Sequence, residues 1–400
     1  MTEERYVHTF ETFAPVSFLR RDHRGHRHGR CERDPCGHEG LYFLGRSCCC
    51  PFFRSTRLST FGPDTRLGEE MSSVATHKAA TKLFHVFLSR KIPVLHEDKY
   101  KGQSGRIGVI GGSEIYVGAP FYAGMSALKC GADLLYLFTA NEAAPAIKTF
   151  SPELMVEAIY NCADTAQPPE VISNKAVSKL NHLHSLCIGP GLGRHEHVFK
   201  GVKEIVVAAQ KMRTPIVFDA DGLFMVTQDI PLIQGYGHAM LTPNIVEFKR
   251  LCEALRISPP SLPFSLEWIE PVQSVANALG NVVVLKGYND VISNGRETLV
   301  CTEPGSLRRC GGQGDVLAGV MSLASAWACM DSSPSKEGKG TSDGDAQRNH
   351  LLSAAYFSCV VTKRASRMAF NKKGRSFSTP DIFSELGIVL EELVPSPKVV

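Results

Sequence analysis

From about Lys99 onward, short runs of β-forming residues alternate with longer stretches of helical periodicity. The runs are bounded by Gly, Pro, Asp or Asn and lie at Ile107–Ile110, Leu134–Phe138, Leu186–Ile188, Ile216–Phe218, Ala239–Leu241 and Val282–Leu285. Between them the pattern predicts helices at Pro120–Cys130, Val198–Lys211, Glu247–Leu255 and Pro271–Leu279. Such alternation is typical of right-handed crossovers, so we expect a mostly parallel sheet with helices on both faces. Ligands of these sheets bind beyond the carboxyl ends of the strands.

Composition limits the class of protein. The 400 residues suffice for one large α/β domain with additional segments, or for two small domains. Apolar residues make up 43% and charged residues 21%, which excludes a disordered main body. The net charge is only +4 and much of the basic excess lies in the first ninety residues, so no nucleic-acid partner is expected. No apolar run approaches the roughly 20 residues of a membrane span, so we expect a soluble protein without a membrane partner.

The N-terminal part differs from the rest. Residues 1–70 are rich in Arg, His, Cys and Pro without apolar periodicity, which predicts an extension that is disordered or absent from the mature protein. Met71–His96 has no acidic residue and mixes basic with apolar residues, as organellar transit peptides do. The alternative is a surface helix leading into the fold. We therefore predict a transit peptide at 71–98, read from a start at Met71, and one domain at 99–395. The protein is expected in mitochondria or plastids, in the cytosol or in both, and not to be secreted.

Cysteine usage indicates a reducing compartment. Five of the thirteen cysteines fall in the first fifty residues, and those of the main body are scattered singly among apolar residues, as at Cys130, Cys187, Cys301 and Cys359. This is typical of buried thiols and not of a disulfide framework. Cys31 and Cys36, with histidines nearby, permit a zinc site, although an unstructured polar tail accounts for them better.

A glycine-rich segment precedes the most apolar helical stretch. Gly305 to Asp315 reads Gly-Ser-Leu-Arg-Arg-Cys-Gly-Gly-Gln-Gly-Asp, and Val316–Trp327 is apolar enough for a buried helix. A glycine run at a helix start directs backbone N–H groups at one anionic oxygen, and the carboxylate at its end can accept a proton. The pattern indicates a phosphoryl-transfer site with Asp315 as the base. A turn whose acidic residue favours the helix dipole is the alternative.

Five of the six predicted strands end in glycine-rich or polar segments. These are Gly111-Gly112-Ser113, Gly189-Pro190-Gly191-Leu192-Gly193-Arg194, Asp219-Ala220-Asp221-Gly222, Thr242 to Glu247, and Lys286-Gly287. The aspartate pair can hold a hydrated cation or a hydroxyl, or cap a helix. Asn244 and Glu247 form either a capping box or a site for magnesium and phosphate. Lys286 either neutralises a phosphate chain or lies in a surface hairpin.

The ordered series of motifs resembles the ribokinase-like superfamily and, within it, the ATP-dependent NAD(P)H-hydrate dehydratases, which repair hydrated nicotinamide cofactors. The resemblance extends from roughly Lys99 to Phe383 and rests on Lys101–Arg106, Gly118–Pro120, Tyr136–Lys148, Ser151–Leu154, Gly189–Arg194, Asp219–Leu223, Leu241–Arg250, Leu285–Asp290 and Arg308–Asp315. It implies a ribokinase-like three-layer α/β sandwich. It also implies a lyase acting on the S-epimer of hydrated NADH or NADPH, with ATP as co-substrate and Mg²⁺ as cofactor. We further expect a homo-oligomer.

The resemblance also implies the roles of individual residues. Asp315 is the catalytic base, and contacts with the hydrated cofactor are implied at Gly191, Asn244, Ile245, Val246, Glu247, Phe248, Lys249, Arg250 and Asp315. ATP contacts are implied at Lys286, Gly287, Tyr288, Asn289, Asp290, Gly305, Ser306, Leu307, Arg308, Arg309, Cys310, Gly311, Gly312, Gln313 and Gly314. No metal ligand is assigned. The alternatives are a kinase of a vitamin-precursor alcohol on the same fold and a nucleotide-binding sensor without turnover.

Overall fold

A computed structural model of the chain describes residues 76–260, 266–330 and 343–397. All of them belong to one compact unit. The extension at residues 1–70, with its Cys31 and Cys36 pair, and the start of the 71–98 segment lie outside the described residues.

Nine strands of the described chain form one sheet in the order β3-β2-β1-β4-β5-β6-β7-β8-β9. Their bounds are β1 Arg106–Ile110, β2 Leu134–Ala140, β3 Met155–Tyr160, β4 Ser185–Ile188, β5 Ile216–Phe218, β6 Ala239–Leu241, β7 Val282–Leu285, β8 Asp290–Ser293 and β9 Thr298–Cys301. The first seven strands pair in parallel, and β8 and β9 add an antiparallel edge. The mostly parallel sheet predicted from the sequence is confirmed, and all six predicted strands are present.

Three strands were not predicted, and each has a physical reason. Strand β3 lies at one edge of the sheet and is mostly half-buried. An edge strand tolerates a charged residue, and Glu157 interrupts the apolar run that would have indicated the strand. Strands β8 and β9 are four residues each and are joined by a tight connection that contains Asn294 and Gly295. The Asn294 side chain accepts hydrogen bonds from the backbone N–H groups of Arg296 and Glu297 at 2.9 and 2.8 Å. The Asn-Gly pair is a hairpin signal that the sequence contained.

Eleven helices of the described chain cover the sheet. Their bounds are α1 Thr76–Arg90, α2 Gly118–Lys129, α3 Ala144–Phe150, α4 Pro169–Leu180, α5 Glu196–Lys211, α6 Ala220–Gln228, α7 Ile245–Leu255, α8 Ile269–Leu279, α9 Gln313–Met330, α10 Asp343–Lys373 and α11 Pro380–Leu393. The four predicted helices correspond to α2, α5, α7 and α8 and begin and end within two residues of the expected positions. The Ser-, Gly-, Lys- and Asp-rich composition of Asp331–Gln347 predicts a loop between two helices, but α10 already begins at Asp343, within this segment.

Helix α9, which starts at the glycine-rich segment, is buried on all sides from Val316 to Ala328. Gly319 permits this position, because a Cβ there would lie 1.9 Å from the backbone oxygen of Ala123 in α2. The two helices therefore pack backbone against backbone, and the start of α9 is held firmly at the carboxyl edge of the sheet.

Helix α1 falls within the predicted transit segment and packs on the domain. Phe87 is 1% exposed, and its ring centroid lies 5.0 Å from that of Phe357 in α10. Phe84 makes an edge contact with Tyr356 at 5.8 Å. This packing favours the alternative interpretation, a helix that leads into the fold.

Replacing Phe87 with Ala tests whether α1 is part of the folded protein. Loss of a buried phenylalanine ring should lower the free energy of unfolding by about 3–5 kcal/mol, measured by urea denaturation. Val86→Ala is the matched control, because Val86 is 39% exposed and should change stability by less than about 1 kcal/mol. Equal stability of the two variants would mean that α1 contributes nothing to the fold.

Candidate active site

The polar segments that follow β1, β4, β5, β6 and β7 meet at one edge of the sheet. These strands are parallel neighbours, so their carboxyl ends lie side by side. The strand order reverses between β1 and β4, and the crevice at such a reversal is where doubly wound sheets bind ligands.

Two glycine-rich loops form this crevice. The backbone N–H of Gly112, after β1, donates to the oxygen of Pro190, after β4, at 3.0 Å. Gly191 has a φ of +61°, and a Cβ there would lie 2.7 Å from Cβ of Tyr116. The loops approach each other too closely for any residue but glycine at position 191. The residue predicted to contact the hydrated cofactor therefore lines the crevice.

A buried ion pair forms the floor of the site. The Lys286 ammonium, at the end of β7, lies 2.6 Å from Oδ1 of Asp219, at the end of β5. Asp219 is 2% exposed, and its Oδ1 also accepts a hydrogen bond of 2.9 Å from the Thr242 hydroxyl, at the end of β6. Burial lowers the pKa of Lys286, but the carboxylates of Asp219 and Glu247 outweigh burial, so its pKa is raised and the ammonium stays charged.

The predicted base lies above this pair. Gly314, the residue before Asp315, lies against the ion pair. A Cβ on it would lie 3.4 Å from Nζ of Lys286 and 3.9 Å from Oδ2 of Asp219. Burial raises the pKa of Asp315 to about 7, the Asp219 carboxylate adds to this rise, and the Lys286 ammonium opposes it. A carboxyl group whose pKa is near neutral suits proton transfer in either direction. The first N–H groups of α9 lack partners within the helix, and they are therefore available for an anion.

The Asn244–Arg250 segment begins α7 with a capping box. Oδ1 of Asn244 accepts from the N–H groups of Val246 and Glu247 at 2.9 and 3.0 Å, and Glu247 accepts from the N–H of Asn244 at 2.7 Å. The capping interpretation is thus confirmed. Burial raises the pKa of Glu247, although the Lys286 ammonium partly offsets this rise. Glu247 therefore interacts electrostatically with the ion pair of Lys286 and Asp219.

The residues of the Asn244–Arg250 segment differ in their exposure to solvent. Asn244, Ile245, Val246, Lys249 and Arg250 are exposed. Phe248 is buried in the core, with its ring centroid 6.0 Å from that of Trp268. The side chain of Phe248 is therefore unavailable for the cofactor contact implied at that position.

The implied ATP segment Lys286–Asp290 is a hairpin turn that a distant helix holds. Lys363 of α10 donates to the backbone oxygens of Gly287 and Tyr288 at 3.2 and 2.6 Å and forms an ion pair with Asp290 at 3.3 Å. Asp290 in turn accepts from the N–H of Gly287 at 2.8 Å. Lys363 was not predicted, because no local pattern relates it to a turn more than seventy residues away.

The implied ATP segment Gly305–Gly314 folds over the start of α9. The Gln313 amide donates to the oxygen of Arg308 at 3.1 Å and to the Ser306 hydroxyl at 3.2 Å. The hydroxyl of Thr379, just before α11, donates to the oxygen of Gly311 at 2.5 Å. Leu307 and Arg309 are exposed, while Ser306 is buried. Thr379 is a second residue that the sequence analysis missed.

The two aspartates after β5 have different partners. Asp219 pairs with Lys286, whereas Asp221 accepts from the N–H of Gly193 at 3.1 Å and from Nε of Arg194 at 3.0 Å. Asp221 thus organises the glycine-rich loop after β4. The two carboxylates therefore have separate partners in the structure.

Sheet topology, the glycine-rich helix start and the carboxyl group of Asp315 define a ribokinase-like α/β protein. The structure of a ribokinase-like superfamily protein from Enterococcus faecalis superposes with a TM-score of 0.59 at 21% identity, over 77% of this chain and 94% of that chain. An ADP/ATP-dependent NAD(P)H-hydrate dehydratase from Bacillus subtilis, crystallised with ATP and Mg²⁺, superposes with a TM-score of 0.53 at 18% identity, over 78% and 97% of the two chains. The predicted fold is confirmed.

Sequence comparison gives the family. The model of the NAD(P)H-hydrate dehydratase family matches residues 107–387. An ATP-dependent (S)-NAD(P)H-hydrate dehydratase from Rattus norvegicus is 42% identical over 303 residues, which cover 76% of this chain and 83% of the relative. The chain therefore belongs to the NAD(P)H-hydrate dehydratase family. None of the described helices is long and apolar enough to span a bilayer.

The contribution of the Asp219 carboxylate to the raised pKa of Asp315 can be tested directly. Asp219→Asn keeps the shape of the side chain but removes the negative charge that raises the pKa of Asp315. The pKa of Asp315 should therefore fall, which a pH titration of its carboxyl carbon by NMR on aspartate-labelled protein would measure. Asp221→Asn is the control, because Asp221 binds Gly193 and Arg194 and should leave that pKa unchanged. An unchanged pKa in Asp219→Asn would refute the coupling.

Proposed function

We propose that the protein is an ATP-dependent (S)-NAD(P)H-hydrate dehydratase, which returns hydrated NADH or NADPH to the reduced cofactor with release of ADP and phosphate. The observation that carries the proposal is the Asp315 carboxyl group, which lies at the start of α9 beside Gly314 and the Lys286–Asp219 pair, with its pKa near neutral. Family membership and the relatives named above support the same substrate.

In the first step, Asp315 accepts the proton of the ring hydroxyl group. The hydroxyl oxygen attacks the γ-phosphorus of ATP, and the bond to the β-phosphate oxygen breaks to release ADP. The N–H groups at the start of α9 are placed to stabilise negative charge on the transferred group.

In the second step, the ring loses phosphate. Hydroxide is a poor leaving group, whereas a phosphate ester leaves readily. The lone pair of the ring nitrogen expels the phosphate, and the adjacent ring carbon then loses a proton, which restores the dihydropyridine. A phosphorylating site thus acts as a dehydratase because its phosphorylated product is unstable.

The two substrates are proposed to occupy different parts of the site. The hydrated cofactor would contact Gly191 and the exposed residues of Asn244–Arg250, and ATP would contact Lys286–Asp290 and Gly305–Gly314. Three carboxyl groups, Asp219, Glu247 and Asp315, raise the pKa of the one ammonium of Lys286, and this excess of negative charge fits Mg²⁺ carried by ATP. Bound Mg²⁺ would neutralise phosphate charge.

The assembly of this chain into a homo-oligomer remains a prediction.

The proposed function is tested with chemically hydrated NADH, ATP and Mg²⁺. The near-ultraviolet absorbance of NADH should return, with one ADP released for each cofactor repaired. Asp315→Asn should lower the turnover number by at least about a hundredfold, because the base is lost while size and hydrogen bonding remain. Asp98→Asn, a 90% exposed carboxylate, is the control and should be unaffected.

The same assay has a pH signature. Because Asp315 acts as a carboxylate, wild-type turnover should fall as pH drops below its raised pKa, and residual turnover of Asp315→Asn should lack that limb. ADP release with a vitamin-precursor alcohol and none with the hydrate would favour a small-molecule kinase. Repair without any nucleotide would refute phosphorylation as the route.

We also propose that import into mitochondria or plastids acts on a chain that begins at Met71. The acid-free segment supports targeting, whereas the packing of α1 requires that this helix remain attached after import. A fluorescent fusion starting at Met71 should therefore enter the organelle and, by mass spectrometry, retain Thr76 onward. Diffuse cytosolic fluorescence with an intact N-terminus would contradict the proposal.

A further inference from the structure

Three potential metal ligands from three different loops meet at the carboxyl edge of the sheet. Glu114 lies between β1 and α2, Cys162 between β3 and α4, and His195 immediately before α5. One ligand atom from each residue lies within 4.8 Å of the other two. Over residues 76–260, 266–330 and 343–397, these three side chains are the one group of His, Cys, Asp or Glu that meets such a limit.

The ligand set and the spacing suit zinc. Imidazole nitrogen, thiolate sulfur and carboxylate oxygen are the donors that Zn²⁺ uses in proteins, at about 2.0–2.3 Å in a tetrahedron. Ligand atoms on bonds of about 2.0 Å are then about 3.3 Å apart along a tetrahedral edge. Nε2 of His195 and Oε2 of Glu114 are separated by 3.3 Å. Two of the three ligands are therefore already at the distance that a shared zinc ion imposes.

The three side chains differ in exposure: the thiol is buried, and the imidazole and carboxylate face the solvent. Cys162 is 5% exposed, whereas the side chains of His195 and Glu114 are 30% and 42% exposed. An ion could thus enter from the solvent between His195 and Glu114 and reach the thiol beneath them. The same opening leaves room for water as a fourth ligand.

The loops that carry the ligands are themselves ordered. Oε1 of Glu142 accepts from the N–H groups of Cys162 and Ala163 at 3.0 and 3.3 Å, which fixes the backbone at the thiol. A Cβ on Gly193, whose φ is +79°, would lie 3.1 Å from Cδ2 of His195, so this glycine leaves space for the ring. The three loops thus hold the ligand atoms within 4.8 Å of one another before any ion binds.

We propose that Glu114, Cys162 and His195 bind one zinc-class divalent ion, with water in the fourth position. The ion ties the β1–α2 and β4–α5 loops, which form the crevice around Gly191, to the β3–α4 loop at the sheet edge. Its site is distinct from the phosphate-binding start of α9 and requires no nucleotide.

Cobalt(II) replaces zinc in such sites and reports a thiolate ligand by its charge-transfer absorbance in the near ultraviolet. Titration of nucleotide-free protein in which the five cysteines of the first fifty residues are replaced by serine should give this band with Co²⁺, saturating at one ion per chain, and added Zn²⁺ should abolish it. The band should be lost in Cys162→Ser. Co²⁺ binding should weaken at least about tenfold in His195→Gln and Glu114→Gln, since even a residue that only supports a ligand changes metal affinity about 10–100-fold.

Two matched controls separate the site from general effects. His182→Gln removes an exposed imidazole outside the three ligand loops, and Cys329→Ser removes a half-buried thiol elsewhere. Both should keep the band. No thiolate band at saturating Co²⁺ in the protein without further substitution, or a band retained in Cys162→Ser, would overturn the proposal. If Cys162→Ser does not fold, unchanged Co²⁺ affinity in His195→Gln and Glu114→Gln, both on partly exposed residues, would overturn it equally.

Discussion

The buried ion pair between Lys286 and Asp219 is the interaction on which the site depends. It joins the ends of β5 and β7, and the Thr242 hydroxyl at the end of β6 completes its hydrogen bonding. Removing one partner of such a pair leaves a buried charge uncompensated, which costs about 3–5 kcal/mol. Burial raises the pKa of Asp315 beside the pair, and the Asp219 carboxylate and the Lys286 ammonium then shift this pKa in opposite directions. The two charges that form the ion pair are thus also charges that act on the proposed base.

Close approach of backbone is the second requirement. A Cβ on Gly189 would lie 1.9 Å from the backbone oxygen of Asp219, and one on Gly319 would meet the oxygen of Ala123 at the same distance. The first contact places the glycine-rich loop after β4 against the ion pair, and the second places α9 against α2. These glycines are needed because any side chain would push the loop or the helix away from the site. The crevice exists only because both contacts are made together.

Long-range supports complete the site. Lys363 in α10 holds the turn after β7, and Thr379, just before α11, holds Gly311. At the other end of the crevice, the side chains of Glu114, Cys162 and His195 converge from loops on three strands of the sheet. The loops around the site are thus each fixed by a residue that lies far away in the sequence, which keeps ligand-binding groups in place without burying them.

The sequence by itself determined the fold class, the six central strands and the place of Asp315 before a buried helix, because hydrophobic periodicity and glycine-rich turns are local signals. It left Asn244 and Glu247 ambiguous, since a capping box and a ligand site use the same residues. Only the tertiary structure showed that Asp219 binds Lys286 while Asp221 binds the glycine-rich loop, and only it revealed Lys363, Thr379 and the Glu114, Cys162 and His195 group. The physical reason is that the sheet brings strand ends together across long stretches of chain, and no local pattern encodes which side chains then meet.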